Sequence, residues 1–124
     1  MRLLLDTHAA LWWLVGDRRF GERALAALED DANEVLLSAA VVWEVAIKRA
    51  LGKLEAPDDF ASTLLSAGVR PLPVRVEHAA AVERLPWHHN DPFDRMLVAQ
   101  AGIEGAELVS KDSSLRAYGV PIVW

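Results

Sequence analysis

Arg2-Leu3-Leu4-Leu5-Asp6 is the stretch on which the fold turns. Three consecutive leucines stopped by a carboxylate show neither helical period nor alternation, the pattern of a strand buried on both faces of a parallel sheet. Asp6 then stands at the carboxyl end of that strand. Thr7 to Val15, rich in Ala, Leu and Trp, closes at Gly16 as a helix does, and Phe20 to Asp31 repeats apolar residues at helical spacing. Glu34 to Ser38 is a second short strand, and Ser38 caps a helix from Ala39 to about Ala50, before Gly52. A helix opens at Asp58 or Asp59 and ends near Gly68. Val69 to Val76, with its two prolines, is an edge strand or extended segment. Glu77 to Leu85 is helical in composition. His88 to Asp94 is a polar turn entering a helix that runs to about Ala101, with Pro92 at the tolerated first position. Glu107 to Ser110 is a strand, Asp112 starts a helical turn, and Ile122 to Trp124 is a terminal strand. Strands separated by helices pair in parallel through right-handed crossovers, so the expected fold class is α/β, three layers with a short central parallel sheet flanked by helices.

Composition agrees with one folding unit over residues 1–124. Of 124 residues, 52% are hydrophobic and 25% charged, enough to build a core, and no linker, repeat or low-complexity segment interrupts them. There is no cysteine, which excludes disulfides, thiolate zinc sites and a cysteine nucleophile. Apolar runs are too short to span a bilayer, and Asp6 and His8 break up the N-terminus as a signal peptide, so the expected location is the cytoplasm, without a membrane partner. Thirteen Lys and Arg against 18 Asp and Glu leave a formal charge of −5, which by itself speaks against a nucleic-acid partner.

In an open parallel sheet, residues that immediately follow strands converge on one edge. Asp6 and Asp112 hold such positions, Asp91 and Asp94 open a helix whose start falls near the same edge, and Glu44 lies one and a half turns into the helix after the second strand. Helix capping explains Asp6, Asp91 and Asp112 equally well, and Glu44 can pair with Lys48 at i, i+4. Capping does not require a carboxylate as the one charge in the apolar stretch Ala39 to Ile47; buried there, Glu44 needs a cation, from Lys48 or from a metal. Hard oxygen donors without a thiol fit Mg²⁺ or Mn²⁺, and such a centre hydrolyses phosphodiesters.

The same residues carry a resemblance. Leu3-Leu4-Leu5-Asp6-Thr7-His8, Ser38 to Lys48 (SAAVVWEVAIK), His89 to Ala101 (HNDPFDRMLVAQA) and Leu108-Val109-Ser110-Lys111-Asp112, in this order and over nearly the whole chain, resemble PIN-domain ribonucleases, in particular the VapC-type toxins of type II toxin-antitoxin modules. The resemblance implies a metal-dependent endoribonuclease with Mg²⁺ (or Mn²⁺) held by an acidic quartet of Asp6, Glu44, Asp94 and Asp112, which are then both metal ligands and catalytic residues. Asp94 takes that place over Asp91 because the family sets its third acid seven residues before the alanine that here is Ala101. Asp91 reverts to a helix cap with an outer-sphere role beside the quartet, and Thr7 and Ser110 become hydroxyls that orient carboxylates, Ser110 standing where Thr is commoner. It further implies an RNA substrate, a cognate antitoxin whose C-terminal segment covers the active-site groove, and a homodimer.

His8, His88 and His89 lie near these acids in sequence, but an oxygen quartet already satisfies a hard cation. Trp12, Trp13 and Trp43 are core or interface anchors. Adjacent residues cannot share one helix face, so one of Trp12 and Trp13 is expected to meet a partner. Arg95 is a candidate RNA contact. Alternatives are a catalytically silent PIN-like protein that binds RNA or a partner, a haloacid-dehalogenase-like phosphatase and a signalling receiver domain. The phosphatase needs an aspartate where His8 stands; the receiver needs adjacent acids where Leu5 precedes Asp6, and an aspartate where Ser38 follows its strand. If the quartet is one ionised cluster, it accounts for −4 of the −5, and the remainder is −5 + 4 = −1. The acidic balance then reports a cation requirement, and RNA is expected to bind poorly without one.

Overall fold

In the computed structural model, which describes residues 1–124, five strands form one parallel sheet: β1 (Arg2–Leu5), β2 (Glu34–Ser38), β3 (Arg70–Leu72), β4 (Glu107–Val109) and β5 (Ile122–Val123). Their order is β3-β2-β1-β4-β5, so the first strand lies at the centre. Leu3, Leu4 and Leu5 are fully buried, as a strand covered on both faces requires. Leu3 pairs with Val35 on one side and Glu107 on the other, which brings the carboxyl ends of β1 and β4 side by side. The chain winds outward from β1 to β3, then returns to β4, so the reversal falls between β1 and β4. That is the switch point where open α/β sheets place their sites.

Six α-helices flank the sheet: α1 (Thr7–Val15), α2 (Glu22–Glu29), α3 (Ala39–Ala50), α4 (Phe60–Ser66), α5 (Val76–Ala81) and α6 (Pro92–Glu104). Their ends follow local chemistry. Asp6 caps α1 by accepting from Ala9 N, Ser38 caps α3 by accepting from Ala40 N, and Asp91 caps α6 by accepting from Phe93 N and Asp94 N. Gly16 and Gly105 close α1 and α6 in the left-handed conformation.

Within Val69 to Val76 the short edge strand is Arg70–Leu72, where Pro71 and Pro73 limit the ladder. Two segments differ from the sequence expectation. Glu77 to Leu85 divides into α5 and a 3₁₀ turn, Val82–Arg84, and α6 runs three residues past Ala101 to Glu104. No helix is long and apolar enough to cross a membrane.

A buried polar seam ties the layers. The Ser38 hydroxyl donates to Gln100 Oε1, and Gln100 Nε2 donates to Pro73 O at 3.2 Å, fastening the start of α3 to the middle of α6. Below it, His78, fully buried, accepts from Arg75 N at Nδ1 and meets Glu104 through Nε2 at 2.9 Å. Glu104 also receives Arg2 and Arg75. Glu77, His78 and Glu104 are close enough to hold an ion, but the donors around Glu104 already match its charge, so this is an internal ion network.

Candidate metal centre

Asp6, Glu44, Asp94 and Asp112 come from four separate segments and meet at the carboxyl ends of β1 and β4. Asp6 follows β1 and is buried, so the charge of its carboxyl is opposed first by desolvation. That loss pushes its pKa upward against the lowering effect of the Ser110 hydroxyl and the Ala9 N–H. Ser110 follows β4 and bridges the two halves of the pocket: its hydroxyl lies on Asp6, and its oxygen accepts from Asp112 N at 3.0 Å.

Glu44 is buried at 5% exposure with both oxygens engaged. The Thr7 hydroxyl donates to Oε1, and Lys48 pairs with Oε2 one turn along α3. The cation that a buried glutamate demands is thus present in the chain as Lys48. Thr7 lies where a residue orienting a carboxylate belongs.

Asp94 is the opposite case. It sits one turn into α6, half-buried, and its carboxylate accepts no hydrogen bond; the nearest donor is His89 Nε2, at 3.5 Å. Burial first, then the charges of Asp91, Asp6 and Glu44, push its pKa up to about 7, with His89 acting against them. Such a group gains by a cation. Oxygen donors, no sulfur, and one carboxylate without a partner form a donor set that fits Mg²⁺ or Mn²⁺. Asp112 differs again: the Ser114 hydroxyl, the backbone of Ser114 and His89 hold its carboxyl below the usual range.

A pH dependence follows. Folded Asp94 keeps its proton to about pH 7, whereas the unfolded chain releases it near the ordinary value of 3.8. Between those values the folded state binds more protons, so stability falls as pH rises. Asp6 acts in the same direction; Asp112, with its lowered value, loses its contribution only on acidification below the ordinary range. Thermal melts in EDTA should therefore show the unfolding temperature decreasing from about pH 5 to pH 7.5, and added Mn²⁺ should recover it at the alkaline end. A flat profile would contradict the repulsion among these acids.

Sequence reasoning weighed His89 as a pocket residue and set it aside, and it misplaced Arg95. His89 lies in the pocket, with Nε2 3.2 Å from Asp112 Oδ2, and its only sequence signal is its place beside an Asp-Pro helix start. His8 packs on Trp12, and His88 meets Tyr118 edge-on. Arg95 does not serve the pocket. It is 3% exposed, donates to Val82 O, Leu85 O, Pro86 O and the Tyr118 hydroxyl, and lies over Trp87 at 3.9 Å. Asp94 and Arg95 are about 100° apart around the helix, so one faces the pocket while the other faces inward. Trp12 and Trp13 are both half-buried, Trp12 against Trp124 and Trp13 against the core. The exposed tryptophans are Trp43, at 62%, and Trp87, at 76%.

The fold and the acids at its switch point define a PIN domain. A profile of the PIN domain matches residues 3–121, and the chain belongs to that family. It is 32% identical over 122 residues to ribonuclease VapC22 of Mycobacterium tuberculosis, covering 96% of this chain and 93% of that protein. Among solved structures, VapBC2 from Rickettsia felis bound to a DNA fragment from its promoter superposes with a TM-score of 0.71 at 13% identity, covering 99% of this chain and 98% of the other. FitAcB from Neisseria gonorrhoeae gives 0.66 at 21%, covering 98% and 96%.

Proposed function

We propose that this chain is the toxin of a type II toxin-antitoxin module, a Mg²⁺- or Mn²⁺-dependent endoribonuclease acting as a single domain in the cytoplasm. The observation that carries the reading is Asp94: a half-buried carboxylate without a hydrogen-bond donor, amid three other acids at the switch point of a PIN fold. Its relationship to the VapC ribonuclease supports the activity, and its fold, shared with toxin-antitoxin complexes, supports the antitoxin.

Asp6, Asp94 and Asp112 would hold the cation, with Glu44 beside them, while Thr7, Lys48 and Ser110 fix the carboxylates. The chemistry that such a cation supplies is activation of water and neutralisation of charge on the scissile phosphate. The residues here orient and concentrate negative charge that attracts the cation, and through it a phosphate. In this reading water is the nucleophile, as a cation that lowers the pKa of bound water allows. An RNA carrying 2′-methoxy at the scissile nucleotide should still be cut, leaving no cyclic phosphate. Strict dependence on a free 2′-hydroxyl would refute this mechanism.

The antitoxin reading has a surface to match. A groove of about 540 Å³ opens beside the pocket, lined by Trp43, Val74, Val82, Pro92, Phe93 and Met96 among others. Trp43 and Phe93, which adjoin Glu44 and Asp94 in sequence, meet edge-on there at 5.4 Å. An apolar antitoxin segment seated in it would lie next to the acids. The exposed Trp43 and Trp87 are also where a homodimer would find anchors.

A further inference from the structure

We propose that His89 is a positioning residue: an imidazole whose Nε2–H holds Asp112 and faces Asp94, assembling these acids for their cation without ligating it. The inference rests on the metal-dependent reading above. Nδ1 accepts a hydrogen bond from Asp91 N at 3.1 Å, so it carries no proton. The donor of the ring is then Nε2–H, which lies 3.2 Å from Asp112 Oδ2 and 3.5 Å from Asp94 Oδ2. A histidine that ligates through Nε2 needs that nitrogen bare and its Nδ1–H donated to an oxygen. His89 has the opposite tautomer. The cluster of His89, Asp94 and Asp112, compact as it is, therefore contains two candidate ligands and one donor.

Asp112 shows what the donor does. Its Oδ1 is committed to the turn it caps, accepting from the Ser114 N–H at 3.0 Å and the Ser114 hydroxyl. Oδ2 is the oxygen left for a cation, and His89 fixes its direction while leaving a second lone pair free. The residue is also anchored through its backbone. The His89 N–H donates to the Tyr118 hydroxyl at 2.9 Å, which binds the loop before α6 to the 3₁₀ turn Ser113–Tyr118 that follows Asp112. The same imidazole partly offsets repulsion between Asp94 and Asp112 before a cation arrives.

The test compares Mn²⁺ affinity of the full chain, by isothermal titration calorimetry at about pH 8, where the free imidazole is neutral. His89→Ala should weaken binding tenfold or more, the range seen when outer hydrogen bonds to metal ligands are removed. His89→Gln, whose amide N–H occupies the place of Nε2–H, should bind within a few-fold of the parent, and His89→Asn should resemble alanine. Equal or tighter binding by His89→Ala overturns the proposal, and so does a glutamine variant as weak as alanine, which would mark a ligand. Nitrogen-15 spectra of the ring give a second readout that is independent of activity: the Nε2–H tautomer is expected with and without Mg²⁺, and Nδ1–H overturns it. If the parent binds no Mn²⁺, the metal reading itself fails. If the parent binds, Asp94→Asn does not, and His89→Ala is unchanged, only the role of His89 fails.

Discussion

Asp94→Asn is expected to abolish Mg²⁺- and Mn²⁺-dependent RNA cleavage and, in the same protein, to raise the stability of the metal-free fold. The two effects have one origin. Asp94 carries the charge that nothing in the chain compensates, held to about pH 7 as the neutral acid by burial and by Asp91, Asp6 and Glu44. Asparagine keeps the volume and removes the charge, so the cation loses the ligand that most requires it, and the empty pocket loses its repulsion. At pH 7.5 in EDTA the variant should melt a few degrees above the parent, corresponding to roughly 1–2 kcal/mol once solvent screening of a half-buried group is allowed for. Its unfolding temperature should vary less between pH 5 and pH 7.5. Cleavage assays and melts on the same preparations check both signs. Persisting Mg²⁺-dependent cleavage would refute the site, and an unfolded variant would refute the claim that the carboxylate is there for chemistry.

Arg95→Ala has the second large effect, on stability. The guanidinium satisfies three backbone carbonyls and a tyrosine hydroxyl, and stacks on Trp87. Alanine takes the donor from the carbonyls of Leu85 and Pro86, leaves that of Val82 with the Leu85 N–H alone, and opens a cavity beneath them. A cost of about 3–5 kcal/mol is expected, a large share of the total for a domain of this size. Urea titration should show the midpoint falling with little change in slope. Arg95→Lys should recover only part, since one ammonium cannot span carbonyls served by two separate nitrogens. A loss below about 1 kcal/mol would show that the segment Val82–Pro86 has other support.

These two neighbours show how far the sequence was legible. Strand β1, the caps Ser38 and Asp91, and the placing of Asp6 and Asp112 after strands were all readable, because they depend on runs and turns of a few residues. Asp94 could be singled out from Asp91 only through the family resemblance, since local chemistry makes both good residues for a helix start. Arg95 looked like a phosphate contact because it adjoins Asp94 in sequence; which way it points depends on helix phase, and its partners are 9 to 23 residues away. His89 lies 23 residues from the aspartate that it holds, and Gln100 lies 62 from the serine that it receives, so neither pairing leaves a local trace. Long-range pairing decides the polar interior.

The central position of β1 has a consequence in time. β1 sits between β2 and β4, and the proposed pocket draws on both Asp6 and Asp112. Their separation is 112 − 6 = 106 residues, about 5 to 20 s of synthesis at ordinary elongation rates. Until then the chain carries an acid without its counterpart across the sheet, and a ribosome making a nuclease of this kind holds an inert nascent chain. On the proposed site, cutting ability waits until Asp112 has emerged.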